Sequence, residues 1–212
     1  MSELILHSLA ALEPKRVLDL GCGDQGSHVD LPGFPALGEA YPEAEIVGYE
    51  PDPARLGSPG PYPVCHAGPL PLPEPALSFD LVAAINVLEH VRDLDATLAE
   101  IQRLLAPGGR LLVAVPEGRA LGDRLYRLFT LLRHRRRDHV RAWPRARWRE
   151  AVSRATGFAY VGSLDKTENL EWAPEPLAAA WIRLVRAAGA HAGLAAWRHL
   201  LLYGYLMLWE AR

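Results

Sequence analysis

Residues 16–26 read RVLDLGCGDQG. A short apolar run, Arg16–Leu20, feeds directly into three glycines, Gly21, Gly23 and Gly26. Such a run suits a short strand. Glycines just beyond it permit a tight turn and leave backbone bare enough for a ligand to lie against. The spacing matches G-x-G-x-x-G, but a pyrophosphate wants a helix N-terminus immediately after such a loop. Here SHVDLPGFP (27–35) follows, and Pro32 and Pro35 discourage a long helix. Asp19, two residues before Gly21, would repel a pyrophosphate and attract an amino group or a sulfonium. The loop therefore points away from NAD and toward a ligand that carries positive charge.

Outward from this stretch, strands and helices alternate. Strands are expected at Glu45–Tyr49 (EIVGY), Asp80–Ile85 (DLVAAI) and Arg110–Val115 (RLLVAV). Helices are expected over 2–12, ended by Pro14, over 35–41, and over 93–105, where Leu94, Leu98, Ile101, Leu104 and Leu105 share a side and Pro107-Gly108-Gly109 makes the stop. Pro51 to Pro75, rich in Pro and Gly, reads as a loop. This βαβ rhythm implies an α/β fold with a mostly parallel sheet covered by helices. Beyond residue 116 a helical stripe covers 120–134, a helix covers 145–156 and stops at Gly157, and Phe158–Ser163 reads as a strand. Residues 175–200 read as helical with breaks near Gly189 and Gly193, and Tyr203–Trp209 reads as a closing strand. No repeat and no long linker divides the chain. The expectation is a single domain, 1–212, with a helical Arg-rich cap at about 119–148 and a helical segment at about 174–200.

The 212 residues are 50% hydrophobic and 23% charged, enough for one sizeable core and far from a disordered composition. A net charge of -2 gives no whole-chain argument for nucleic acid. Two cysteines, Cys22 and Cys65, make neither a disulfide framework nor a zinc spacing, so no metal is expected. No 18-residue uncharged apolar stretch occurs and the N-terminus lacks a signal-peptide pattern, so the default expectation is a soluble cytoplasmic protein. The charge is unevenly spread. Residues 1–118 hold 17 acids and 6 bases, whereas residues 119–149 hold 11 arginines and 2 acids. The block RHRRRDHVR (133–141) reads either as a solvated face or as a surface for an anionic partner such as phosphate or lipid. All six tryptophans follow residue 140. The basic block beside this apolar region leaves peripheral membrane contact open.

Glu50 ends the second strand, where a carboxylate accepts two hydrogen bonds from a ribose diol; Asp52 competes for the role. With VLDLGCGDQG (17–26), IVGYEPD (46–52), FDLVAAINVLEHV (79–91) and LLAPGGRLLVAVPE (104–117), the chain resembles class I S-adenosylmethionine-dependent methyltransferases in four blocks, in the family's order. A fainter match continues over DHVRAWPRARWREAVSRATGF (138–158). The resemblance implies a Rossmann-like three-layer sandwich, a seven-stranded sheet with six strands parallel and the last antiparallel, and S-adenosylmethionine as cofactor.

The resemblance also implies roles. Asp19 and the Gly21-Cys22-Gly23 backbone would hold the methionine part, Glu50 the ribose, and Pro51 would line the adenine side. Asn86, Val87 and Leu88 would lie under the cofactor, with Glu89 and His90 facing the methyl-transfer side or the methionine tail. The family's D-A pair, whose Asp takes the adenine amino group, is replaced by His66 and Ala67. A neutral imidazole can still accept there.

Methyl transfer from a sulfonium is an in-line displacement with a good leaving group, so alignment is the protein's main task. A hydroxyl acceptor needs a base, for which His90 and His139 are the candidates, with His66 and Glu89 behind them. Phe129, Tyr126, Trp143 and Trp148 are candidates for an acceptor wall as well as for core. The expected partner is a small-molecule acceptor, which the arginine block would favour in anionic form. Rival readings are an inactive cofactor-binding scaffold or partner subunit, an NAD-type oxidoreductase and a nucleic-acid methyltransferase. Asp19 opposes the oxidoreductase. No N/D-P-P-Y/F motif follows the fourth strand, so no nucleic acid is expected.

Overall fold

The computed structural model describes residue 9 and residues 11–31, 34–118, 140–166, 183 and 204–212. The expected helices over 2–12, 120–134 and 175–200 lie largely outside these residues, as does most of the expected cap.

The chain enters through β1 (Arg16–Leu20). In place of a helix after the glycines stands a small antiparallel ribbon, β2 (His28–Leu31) with β3 (Phe34–Ala36), and then one turn of helix, α1 (Leu37–Ala40). Pro32 and Pro35 account for the difference, since proline lacks the N–H that a helix interior needs. The short helix expected over 35–41 therefore begins only at Leu37. Next come β4 (Glu45–Glu50), β5 (Val64–Ala67) and β6 (Phe79–Ile85). The strand β5 corrects the expectation of an uninterrupted loop from Pro51 to Pro75. It is an edge strand of four residues with a mixed burial pattern, too short and too polar in setting to carry a hydrophobic signature.

Helix α2 (Leu94–Leu104) starts at Asp93, whose side chain accepts from Ala96 N at 3.0 Å. It buries Leu94, Leu98, Ile101 and Leu104, four positions at helical spacing. The chain turns extended at Leu105, ahead of the expected Pro-Gly-Gly stop, and runs as β7 (Leu105–Pro116). Helix α3 (Arg145–Thr156) ends at Gly157, whose φ of +71° is the left-handed cap that glycine adopts without strain. β8 (Ala159–Lys166) and β9 (Gly204–Glu210) complete the main sheet.

The sheet order is β5-β4-β1-β6-β7-β9-β8. β4, β1, β6 and β7 pair in parallel, as do β4 and β5. β9 is antiparallel to both β7 and β8. Six strands thus share a direction and the last opposes them, as the resemblance implies. The alternation of the strands splits the core into two layers. Leu18, Val82, Leu111, Val113 and Met207 face α2 and α3 together with Trp148 and Val152. Val17, Leu81, Ala83, Leu112 and Leu208 face the other side, with Leu9, Leu37 and Tyr41. Both sheet faces are therefore dry, which explains the uniformly apolar strands.

Candidate functional site

All loops that follow β1, β4 and β6 leave from one end of the sheet, next to one another. In such sheets ligands bind in the crevice beyond the carboxyl ends of the strands. A cleft of about 580 Å³ opens there, lined by Gly21, Glu50, Pro51, Asn86, Val87 and His90 among others.

Its floor is fixed by backbone geometry. The N–H groups of Gly21 and Cys22 both donate to Tyr49 O, at 2.6 and 3.1 Å, tying the glycine loop to the end of β4. Gly21 has φ +82°, and a Cβ there would collide with Val87 Cγ2. Glycine is required on both counts. A Cβ at Gly23 would meet nothing within 4 Å, so this stretch of loop leaves open space above it. Asn86 also has positive φ, +55°, a region that Asn visits more readily than most residues. Its N–H reaches Ala114 O at 2.9 Å. The next turn closes by His90 N donating to Val87 O at 2.9 Å.

Asp19 is wholly buried behind the loop. Its Oδ2 accepts from Ser27 N and from Tyr62 Oη, each at 2.7 Å. Glu50 is 3% exposed and stands at the cleft, with Oε1 accepting from Asp52 N at 3.1 Å. The competing carboxylate, Asp52, is exposed and caps its own turn through Ala54 N, so Glu50 is the acid that the cleft presents. Cys22 is buried, and burial first, then the charge of Asp19, pushes its thiol up to about 12. It is therefore a protonated packing group at neutral pH.

The remaining expected residues distribute as follows. Leu88 turns into the core and is fully buried, so it supports the turn instead of lining the cleft. His66 and Ala67 sit on β5, in register with Tyr49 and Glu50. The His66 imidazole is committed elsewhere, with Nε2 2.7 Å from Glu74 Oε1, and Glu74 also meets Arg16 at 3.1 Å. Burial pushes the Glu74 carboxyl up, but its bonds to His66 and Arg16 outweigh this and hold it below the usual range. Of the base candidates, His90 stands in the cleft, 37% exposed, with Nε2 3.9 Å from Oε1 of the buried Glu89. His139, Phe129 and Tyr126 lie outside the described residues. Trp148 is core, while Trp143 lies beside a neighbouring hollow that shares Arg92.

Sequence reasoning missed Arg55, Val91, Arg92 and Val140 as cleft residues. It also missed what holds the last three. Val140 N and Arg141 N both donate to Glu89 O, at 2.8 and 3.0 Å. The Arg141 guanidinium donates to Val91 O and Arg92 O. A chain segment some 50 residues downstream thus pins the loop that carries His90. The H-V pair at 139–140 was the available signal, and Arg141 was hidden inside a run of arginines.

Comparison with known proteins agrees with this geometry. The model of a family described as methyltransferase domain matches residues 1–162. A sterol 4-C-methyltransferase of Caenorhabditis elegans is 34% identical over 113 residues, covering 51% of this chain and 33% of that protein. A ubiquinone biosynthesis O-methyltransferase of Rhodopseudomonas palustris (strain HaA2) is 30% identical over 118 residues, covering 50% of this chain and 42% of that protein. The aligned stretches thus span less than half the length of these relatives. Among solved structures, a SAM-dependent methyltransferase from Methanosarcina mazei superposes with a TM-score of 0.63 at 15% identity, over 98% of this chain and 96% of that one. One from Mesorhizobium loti gives 0.59 at 18% identity, over 99% and 98%. At such identities these two establish the fold.

Proposed function

Because the chain belongs to the S-adenosylmethionine-dependent methyltransferase family, we propose that it moves the methyl group of S-adenosylmethionine to a small-molecule acceptor bearing an anionic group. The observation that carries the reading is the convergence of Gly21, Glu50, Pro51, Asn86, Val87 and His90 on one cleft from three separate strand ends.

These residues fit the cofactor. The bare backbone at Gly21 and Gly23 suits close approach of the methionine part, and the buried Asp19 carboxylate behind it favours the adjacent positive charge. Glu50 is placed to accept from a ribose diol, and Pro51 offers an apolar edge for the base. When bound, S-adenosylmethionine supplies an activated methyl group. The chain's own work is orientation, exclusion of water and, for a hydroxyl acceptor, removal of a proton. His90 is the group in the cleft suited to take that proton.

The anionic preference rests on Arg55 and Arg92. Both line the cleft, and neither forms an ion pair among the described residues. A guanidinium without a carboxylate partner is suited to receive a phosphate or carboxylate. The relatives named above act on a sterol and in ubiquinone biosynthesis, so a lipid-like body is compatible with that anionic group.

Calorimetric titration with S-adenosylmethionine and S-adenosylhomocysteine, with NAD as control, tests the cofactor. Micromolar binding that Glu50→Ala weakens at least tenfold is expected; binding of NAD alone would overturn the reading. Acceptor preference is tested by comparing anionic and neutral candidates across a salt series. Equal, salt-independent binding of both would remove the anionic group from the proposal. One observation favours a non-catalytic scaffold, the engagement of His66 by Glu74 where the family carries an acid. Firm cofactor binding with no turnover on any acceptor would decide for it.

A further inference from the structure

Of the Pro- and Gly-rich stretch from Pro51 to Pro63, Pro51 and Arg55 line the cleft. Its Tyr62 lies against the glycine loop. The phenol O–H donates to Asp19 Oδ2 at 2.7 Å, and Ser27 N donates to the same oxygen at the same distance. The tyrosine occupies space that two glycines keep clear. A Cβ at Gly26 would stand 2.5 Å from the phenol oxygen, and one at Gly48 would stand 3.0 Å from ring Cδ2. Gly26 N in turn bonds Cys22 O at 2.9 Å, closing the loop over which the ring sits. One side chain therefore touches the carboxylate, the end of the glycine loop and the centre of β4.

We infer that Tyr62 is a positioning residue of the cofactor site, acting through Asp19 on the amino-acid end of S-adenosylmethionine. The inference rests on the cofactor reading given above. A fully buried carboxylate is costly unless donors surround it. Two donors converging on one oxygen set the rotation of the carboxylate, and charge-assisted bonds of this length are the stronger kind. Burial, and then the neighbouring charge of Asp19, drives the phenol far above its ordinary value, so Tyr62 stays a donor and is no base. The adenosine end of the cleft, at Glu50 and Pro51, is not part of this contact. The effect should therefore fall on one end of the ligand.

That asymmetry supplies the test. Tyr62→Phe keeps the ring in its seat between the glycines and removes only the O–H. Titration with S-adenosylhomocysteine is compared with titration by 5′-methylthioadenosine, which keeps the adenosine and lacks the amino acid. Affinity for S-adenosylhomocysteine is expected to fall about tenfold, while affinity for 5′-methylthioadenosine stays within about twofold. Equal loss on both ligands would mean a merely structural role, and no loss on either would mean no role; each overturns the inference. Asp19→Asn gives the second reading. It should show the same selective loss, with Tyr62→Phe adding nothing on top of it, and fully additive losses would overturn the relay through Asp19. Thermal unfolding of each variant verifies that it is folded. Wild-type protein that binds neither ligand removes the cofactor reading itself, an outcome separate from wild-type binding that Tyr62→Phe leaves unselective.

Discussion

The two halves of the sheet are made of different material. On the side of β5, β4, β1 and β6, strand ends deliver chemistry: Gly21 after β1, Glu50 at the end of β4, Asn86 after β6. On the side of β7, β9 and β8, the strands deliver bulk. Trp209 and Tyr205 pack with Trp148 and Phe158 in one core layer, and no residue of these three strands lines the cleft among the described residues. Parallel strands with loops at one end create adjacent anchor points for a ligand. An antiparallel strand inserted between β7 and β8 brings the chain back from the opposite end and closes the sheet. Among the described residues, the C-terminal half reaches the site by Val140 and the Arg141 clamp.

The largest effect that would break this comparison is expected at Trp148, a residue of α3 fully buried in the core layer beneath it. Trp148→Ala should cost about 3–5 kcal/mol in urea unfolding. Cofactor affinity measured on the folded fraction should stay close to wild type; a loss matching that of Glu50→Ala would break the division. Trp148→Phe should cost far less, because the buried Nε1 has no hydrogen-bond partner among the described residues to lose.

On the other half the order reverses. Gly21→Ala places a Cβ at positive φ and against Val87. Stability should fall by about 1–3 kcal/mol, and affinity for S-adenosylhomocysteine by more than tenfold, as read by calorimetry. Arg92→Ala is expected to act more narrowly. It should weaken anionic acceptors about three- to tenfold and leave neutral acceptors and the cofactor unchanged, in competition assays at low salt.

The smallest effect concerns acid. Glu74 and Glu100 are both held below the ordinary carboxylate value, Glu74 by His66 and Arg16 against its burial, Glu100 first by Arg103 and also by Leu72 N. A depressed folded value means that the stabilisation is complete above the unfolded value of about 4.5 and is lost as pH falls through the folded values. Glu100→Gln should therefore flatten the acid limb of stability below about pH 4.5, with no change in cofactor affinity at neutral pH. Unfolding curves across an acid series check both statements.

Much of this was legible in the residues. β1, β4, β6, α2 and α3 appear within a residue or two of their expected bounds, because uniform apolar runs and helical spacing report burial directly. β5 was not legible, because its pairing comes from β4 and not from its own side chains. The ribbon after the glycines was visible only as an obstacle to helix, through Pro32 and Pro35. Glu50 was readable as the acid at a strand end, whereas the cleft roles of Arg55 and Arg92 depend on distant chain brought alongside.

The sequence by itself determined the parallel βαβ frame, the glycine turn and the carboxylates at the ends of its strands, because these are local: each follows from hydrophobic period, backbone freedom or charge within a few residues. Only the tertiary structure decided that His66 belongs to Glu74, that Leu88 belongs to the core, that Tyr62 bonds Asp19 and that Arg141 fastens the His90 loop. Each of these is a choice of partner between segments far apart in the chain. A polar side chain carries its bonding capacity in its own chemistry, but which group satisfies it is settled only when the sheet order sets the strands side by side.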